Sequence, residues 1–253
     1  MNSDTLLSSE QADGVTTITM HDGKANVMSL AMLQALEGAL TAAQADRAAV
    51  VLAARGRCYS GGFDLGAFER GGAELPQMLE AGARLAARLL AYPRPVVAAC
   101  NGHAVAMGAF VLLAADHRLC SNGALRIQLN EVQAGLTMPR FAVALCRQRL
   151  TPPALHAAVV TARSFTAAQA LSAGFVDDLV DPEALVAAAQ QQAQRLAGFA
   201  PRAFEATKRR LVAPALRALE QAIAEDLADW LAQTAAASRS SMPLPGAGTP
   251  DVH

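Results

Sequence analysis

Apolar and polar positions along this chain alternate between two periods. Val15-Thr16-Thr17-Ile18-Thr19-Met20 is β-rich and follows an Asp13-Gly14 turn, so a strand is expected there, ended by His21-Asp22-Gly23-Lys24. Ser29 is placed to cap a helix running to about Ala45, with Leu33, Leu36 and Leu40 on one face. Ala48 to Ala53 is continuously apolar, as in a strand covered on both faces. Glu74 to Ala91 reads as a helix that stops before Pro93 and Pro95, and Val96 to Ala99 as the next buried strand. Met107 to about Ala114 reads as a wholly apolar helix. Arg118–Cys120 and Leu125–Ile127 read as short strands around a Ser121-Asn122-Gly123 turn. Thr166 to Gln169 is a capping box for a short helix ended by Gly174, and Asp181-Pro182 opens a helix ending at Gly198.

The recurring order is strand, glycine turn, helix. Parallel strands need crossover helices, so the fold class is α/β. After Pro201 the pattern is helical only, and Ala203–Leu211 and Pro214–Ala236 are expected as a terminal helical pair. Residues 1–198 form the expected core, 199–237 a C-terminal helical region, and 238–253, rich in Ser, Pro and Gly, a tail.

Composition narrows the function classes. The chain has 253 residues, 53% hydrophobic and 17% charged, enough for one sizeable core. With 4% aromatic residues, a net charge of −1 and no basic block, nucleic-acid binding is not expected. The cysteines, Cys58, Cys100, Cys120 and Cys146, form no CxxC pair, so no metal site is expected and a reducing compartment is. Val96 to Ala115 carries no formal charge, but Asn101-Gly102 interrupts it; we read a buried strand, a turn and a buried helix rather than a membrane span. With no signal-peptide pattern at Met1–Asp4, a cytoplasmic location is expected.

Three segments carry candidate chemistry. Gly61-Gly62-Phe63-Asp64-Leu65 can aim a backbone N–H into a cleft, and Asp64 can cap a following helix. Asn101 to Gly108 leads into the helix at Met107, whose free N–H groups and dipole favour an anion. His103 lacks an acid partner nearby in sequence and reads as structural. Glu131 stands among Ile127, Leu129, Val132 and Leu136; burial there would raise its pKa toward that of a neutral-pH proton-transfer group.

The order and spacing of these segments resemble the crotonase family, the enoyl-CoA hydratase/isomerase superfamily, over roughly residues 12 to 235. The resemblance rests on Cys58 to Leu65, Cys100 to Ala104, Ala115 to Arg118, Asn130-Glu131-Val132, and Ala168-Gln169-Ala170 through Ala173 to Val176. It implies a spiral of ββα units with a C-terminal helical region supporting trimers or hexamers (dimers of trimers). It implies an acyl-CoA thioester substrate, with no separate cofactor, since coenzyme A is part of the substrate. Carried over by position, it makes Gly61 and Met107 the oxyanion donors. Lys24, Ala25, Asn26, Met28, Ser60, Gly62, Phe63, Asp64, Leu65 and Phe110 become cleft residues, and Lys208 either a contact to CoA phosphate or a solvated surface lysine. Hydratases of the family use two glutamates; here Phe110 takes the earlier position and only Glu131 remains. That pattern is closer to the 3-enoyl-CoA to 2-enoyl-CoA isomerases. A hydratase and a non-catalytic acyl-CoA-binding oligomer stay as alternatives.

Overall fold

The uninterrupted apolar runs become the centre of a six-stranded sheet. In the computed structural model, which describes residues 6–240, the elements in order are β1 (Leu7–Ala12), β2 (Val15–Met20), α1 (Leu30–Ala45), β3 (Ala49–Ala54), β4 (Cys58–Ser60), α2 (Leu65–Arg70), α3 (Glu74–Ala91), β5 (Val96–Cys100), β6 (His103–Val105), α4 (Met107–Ala114), β7 (His117–Ser121), β8 (Ile127–Gln128), α5 (Arg140–Arg149), α6 (Pro152–Val159), α7 (Ala167–Ala173), β9 (Asp178–Val180), a 3₁₀ turn (Pro182–Ala184), α8 (Leu185–Ala197) and α9 (Pro201–Ser240).

The large sheet has the order β1-β2-β3-β5-β7-β9 and is parallel except where β1 pairs with β2. Strand β3 shows why its run is apolar throughout. Val50 and Leu52 face the main core, while Ala49, Val51 and Ala53 face α8 through Leu185, Ala189 and Ala193. A second sheet, β4-β6-β8, is small, three-stranded and wholly parallel.

Local signals act where the pattern placed them. Ser29 caps α1 by accepting the Met32 N–H at 3.2 Å. Thr166 and Gln169 form a reciprocal capping box, and Gly174 ends α7 in the left-handed conformation. Three expectations change. The segments around Ser121-Asn122-Gly123 are not a pair: β7 lies in the large sheet and β8 in the small one. Strand β1 and helices α5 and α6 had no clear periodic signature. The terminal helical pair is one helix, α9, running through Pro214. Proline removes one backbone donor, but its fixed φ is helical, and α9 buries Lys208, Val212, Leu219, Ala222, Ile223 and Asp226 on both sides of it. The helix continues to Ser240, into the span read as tail; residues 241–253 lie outside the described residues.

Two buried polar groups fasten α9. Asp226 accepts the N–H groups of Arg140 (3.0 Å) and Phe141 (2.9 Å), capping α5 from another helix. Lys208 donates to Asp116 at 2.7 Å and to the Leu89 carbonyl at 3.5 Å. Asp116 also accepts the Val96 N–H, tying the start of β5 to the same point. Lys208 is therefore neither a solvated lysine nor free to meet a phosphate: it is buried, and its ammonium is taken up by Asp116. Burial pushes its pKa below the ordinary lysine range, and Asp116 opposes that shift.

Among the described residues no helix is long and apolar enough to cross a membrane; the uncharged run Val96–Ala115 divides among β5, β6 and α4. All four cysteines are free thiols. Removing one member of a buried pair leaves the other charge unpaired, so Lys208→Met is expected to cost about 3 kcal/mol. Urea denaturation checks this, and the KM for a CoA thioester should stay unchanged. A raised KM at unchanged stability would return Lys208 to the ligand.

Candidate active site

All three chemistry-bearing segments leave the same edge of the small sheet. Its strands are parallel, with Cys58 opposite His103, Ser60 opposite Ala104, Ala104 opposite Ile127 and Val105 opposite Gln128. Their C-terminal ends therefore lie side by side. From β4 the chain enters Gly61–Phe63, from β6 it enters Ala106–Met107, and from β8 it enters Leu129–Glu131. The crevice beyond the carboxyl ends of parallel strands is where α/β sheets offer a site.

The β4 exit packs directly on the β6 exit. Gly62 has φ +93°, and a Cβ there would lie 2.9 Å from the Val105 carbonyl and 3.6 Å from the Met107 nitrogen. Both facts require glycine. Gly62 donates to Ser60 Oγ at 3.2 Å, and its carbonyl accepts the Met28 N–H at 2.8 Å.

This geometry corrects one donor assignment. The Gly61 N–H is spent on the Ala25 carbonyl at 2.8 Å. Two residues later, the Phe63 N–H has no acceptor among the described residues. Phe63 directly follows the glycine that touches Met107, so the free donor beside Met107 is Phe63. The sequence places Phe63 in the cleft and offers Gly61 as the donor, because a Gly-Gly pair does not reveal which N–H is consumed by the neighbouring loop.

Met107 begins α4, where N–H groups have no intrahelical acceptor, and the helix dipole adds positive potential. The residue before it, Ala106, has φ +48° and ψ −120°, a conformation that a side chain disfavours by about 1–3 kcal/mol. It is held on both sides. Its N–H donates to the Gln128 carbonyl at 2.9 Å, and its own carbonyl accepts from Ala109 and Phe110.

Glu131 stands on the β8 exit, in a turn closed by Ala134 N–H to Asn130 O (2.9 Å) and Leu136 N–H to Glu131 O (2.8 Å). The residue is 8% exposed, and Oε2 is buried with no hydrogen-bond partner among the described residues. Burial raises its pKa from 4.5 to about 7, its own backbone N–H opposing the shift. No second carboxylate contributes to that shift. Cys146 on α5 lies within reach of this charge: burial first, then Glu131, pushes its thiol up. Phe110, where a second acid would stand, is 1% exposed and one helical turn past Met107. It stacks edge-on against Phe141, which stacks on Trp230 of α9.

The remaining cleft residues divide by what their polar groups do. Lys24 is exposed on the loop, and Ala25 lends its carbonyl to Gly61. Asn26 is buried, with its amide nitrogen bonded to the Arg55 and Cys58 carbonyls, and Met28 is fully buried. Both therefore position the loop rather than present side chains to a ligand. Ser60 is buried against Gly62. Asp64 caps α2 through Gly66 N–H at 3.0 Å and pairs with Arg70 at 3.6 Å. Leu65 is 69% exposed, and Val132 and Leu136 of the Glu131 turn are also exposed. His103 is structural, its Nδ1 accepting the Arg126 N–H at 3.0 Å.

The sequence does not single out Asp22. Its carboxylate accepts three backbone N–H groups, from Lys24 (2.7 Å), Asn26 (2.8 Å) and Val27 (2.8 Å). Burial acts to raise its pKa, but those bonds outweigh it and hold the carboxyl below its usual value. The loop that occupies the Gly61 N–H is thus organised by Asp22 and Asn26. The signal available in sequence was an Asx-type turn in Asp22-Gly23-Lys24.

Comparison with known proteins places this arrangement. The family profile described as enoyl-CoA hydratase/isomerase matches residues 10–242. A putative enoyl-CoA hydratase of Thermus thermophilus is 35% identical over 190 residues, 74% of each chain. A solved apo structure of a Mycobacterium tuberculosis protein described as an enoyl-CoA isomerase is 42% identical with a TM-score of 0.85, over 88% of this chain and 98% of that one, and another structure of the same protein is described as a probable enoyl-CoA hydratase. An enoyl-CoA hydratase structure from Mycobacterium marinum is 40% identical with a TM-score of 0.86, over 89% and 100%. The crotonase fold is thereby shared, and the chain belongs to the enoyl-CoA hydratase/isomerase family.

Proposed function

We propose that this enzyme converts 3-enoyl-CoA thioesters to 2-enoyl-CoA thioesters, with Glu131 as the one proton carrier. The observation behind this reading is the solitary, buried, unpartnered Oε2 of Glu131 on the same sheet edge as two free backbone donors. The thioester carbonyl oxygen accepts from Phe63 and Met107 N–H. Glu131 takes a proton from C2, and the C2–H electron pair enters a dienolate whose negative oxygen lies in that donor pair. The same carboxyl, now protonated, returns the proton to C4, and the double bond settles between C2 and C3. Hydration would need a group to activate water as well. The aromatic column from Phe110 to Trp230 supplies none and keeps that side dry.

Coenzyme A enters as part of the substrate, and the exposed Leu65, Val132 and Leu136 offer apolar surface near the mouth. Exposed Leu211 and Leu231 on α9 support reading that helix as the contact that assembles copies into a trimer or hexamer. A cytoplasmic location suits the four free thiols.

Glu131→Gln keeps the shape and removes the base, so isomerisation of a 3-enoyl-CoA should fall about 10²- to 10⁴-fold. The wild-type kcat/KM should rise with pH through an inflection near 7, because Glu131 must lose its proton to act. Assaying crotonyl-CoA hydration in parallel separates the alternatives: strong hydration without isomerisation would refute the isomerase. Glu131 also makes stability depend on pH. Its folded-state pKa lies above 4.5, so its stabilising contribution is complete below that pH and is lost as pH rises through about 7. Glu131→Gln should therefore be more stable than wild type at pH 8, by up to about 3 kcal/mol, with the difference vanishing near pH 4. Urea denaturation at the two pH values measures it.

A further inference from the structure

Helix α3 is rich in alanine and leucine, yet carries a glycine, Gly82, in its buried interior. Glycine is a poorer helix residue than the alanines around it, so the position invites a steric reason. A Cβ at Gly82 would lie 2.6 Å from both Cε1 and Cζ of the Phe63 ring and 3.2 Å from the Met107 sulfur. The missing methyl is thus filled by the side chains of two residues, which are the two whose backbone N–H groups stand free beside each other on the sheet edge.

We infer that Gly82 is a positioning residue for the anion hole: a recess in α3 that seats the Phe63 and Met107 side chains together and thereby fixes their backbone donors. The inference rests on the reading of those N–H groups as the thioester donors. The chain around Phe63 has little slack to absorb a displaced ring. The Met28 N–H holds the Gly62 carbonyl at 2.8 Å, and Asp64 is anchored to Gly66 at 3.0 Å. Gly62 itself is wedged on Val105 and Ala106. Met107 is fully buried, and its backbone follows the pinned Ala106. A methyl at position 82 must therefore push the ring and thioether out of their seat, and the strain passes to donors whose placement matters on the scale of tenths of an ångström.

The test uses the full-length enzyme with bound butyryl-CoA, whose thioester C=O stretch reports polarisation by the hole without any turnover. Wild type should show a downshifted carbonyl. In Gly82→Ala the downshift should shrink, and kcat on a 3-enoyl-CoA should fall about 10- to 100-fold. KM should change less than about 3-fold, and Tm should fall modestly, since crowding the Phe63 ring outweighs alanine's better helix propensity. Adding Phe63→Leu, which removes the colliding ring atoms, should recover about 10-fold of the lost kcat. Phe63→Ala alone, which keeps the N–H but empties the seat, should also weaken the carbonyl shift. An unchanged carbonyl frequency with kcat within about 2-fold in Gly82→Ala, or a loss that Phe63→Leu fails to rescue, would overturn the inference. A wild-type carbonyl that is itself unshifted would overturn the anion hole and this inference with it, whereas a wild-type shift indifferent to Gly82 would overturn the inference alone.

Discussion

Everything at this site depends on three short strands being parallel. The sheet formed by β4, β6 and β8 contributes little area, but parallel pairing forces the exits of all three strands to one edge. An antiparallel arrangement would have put one exit on the far side and separated the carboxylate from the donors. Parallel pairing in turn needs long crossovers, and the large sheet and its helices supply them. The fold's main core can therefore be read as the support for a sheet edge only three residues wide at its exits.

Around that edge the structure accepts several local costs. Ala106 sits in a conformation better suited to glycine, Glu131 is buried without a partner, and the donor N–H groups of Phe63 and Met107 are left unpaired. Such features persist where the surroundings over-determine them. Here the surroundings are specific. Asp22 and Asn26 fix the loop that engages Gly61, the Gln128 carbonyl holds Ala106, and Gly62 admits Val105 at van der Waals limits. Farther out, Asp226 and the Lys208–Asp116 pair fasten α9 against the helices that carry Phe110 and Phe141.

Much of this was legible in sequence, for physical reasons that differ by segment. Ser29, the Thr166–Gln169 box and Gly174 are local signals, and they operate where they stand. The apolar run at β3 declares a strand covered twice, whereas the neighbours of Glu131 left both a solvated face and burial open, Val132 and Leu136 being themselves exposed, and the fold buries it. What was not legible depended on contacts distant in sequence. The Gly61 N–H is consumed by Ala25, far earlier in the chain, which leaves Phe63 with the free N–H beside Met107. Lys208 offered either a contact to CoA phosphate or a solvated lysine, because its partner Asp116 belongs to another helix–strand junction. Pro214 suggested a break, but the packing of α9 on either side carries the helix through.

The central claim is that one carboxyl group moves one proton between two carbons of the same substrate. Isomerising a 3-enoyl-CoA deuterated at C2, in ordinary water, follows that proton directly. The account predicts that part of the deuterium appears at C4 of the 2-enoyl product, with no solvent oxygen incorporated. Product lacking any deuterium at C4 and carrying a solvent-derived hydroxyl at C3 would contradict it.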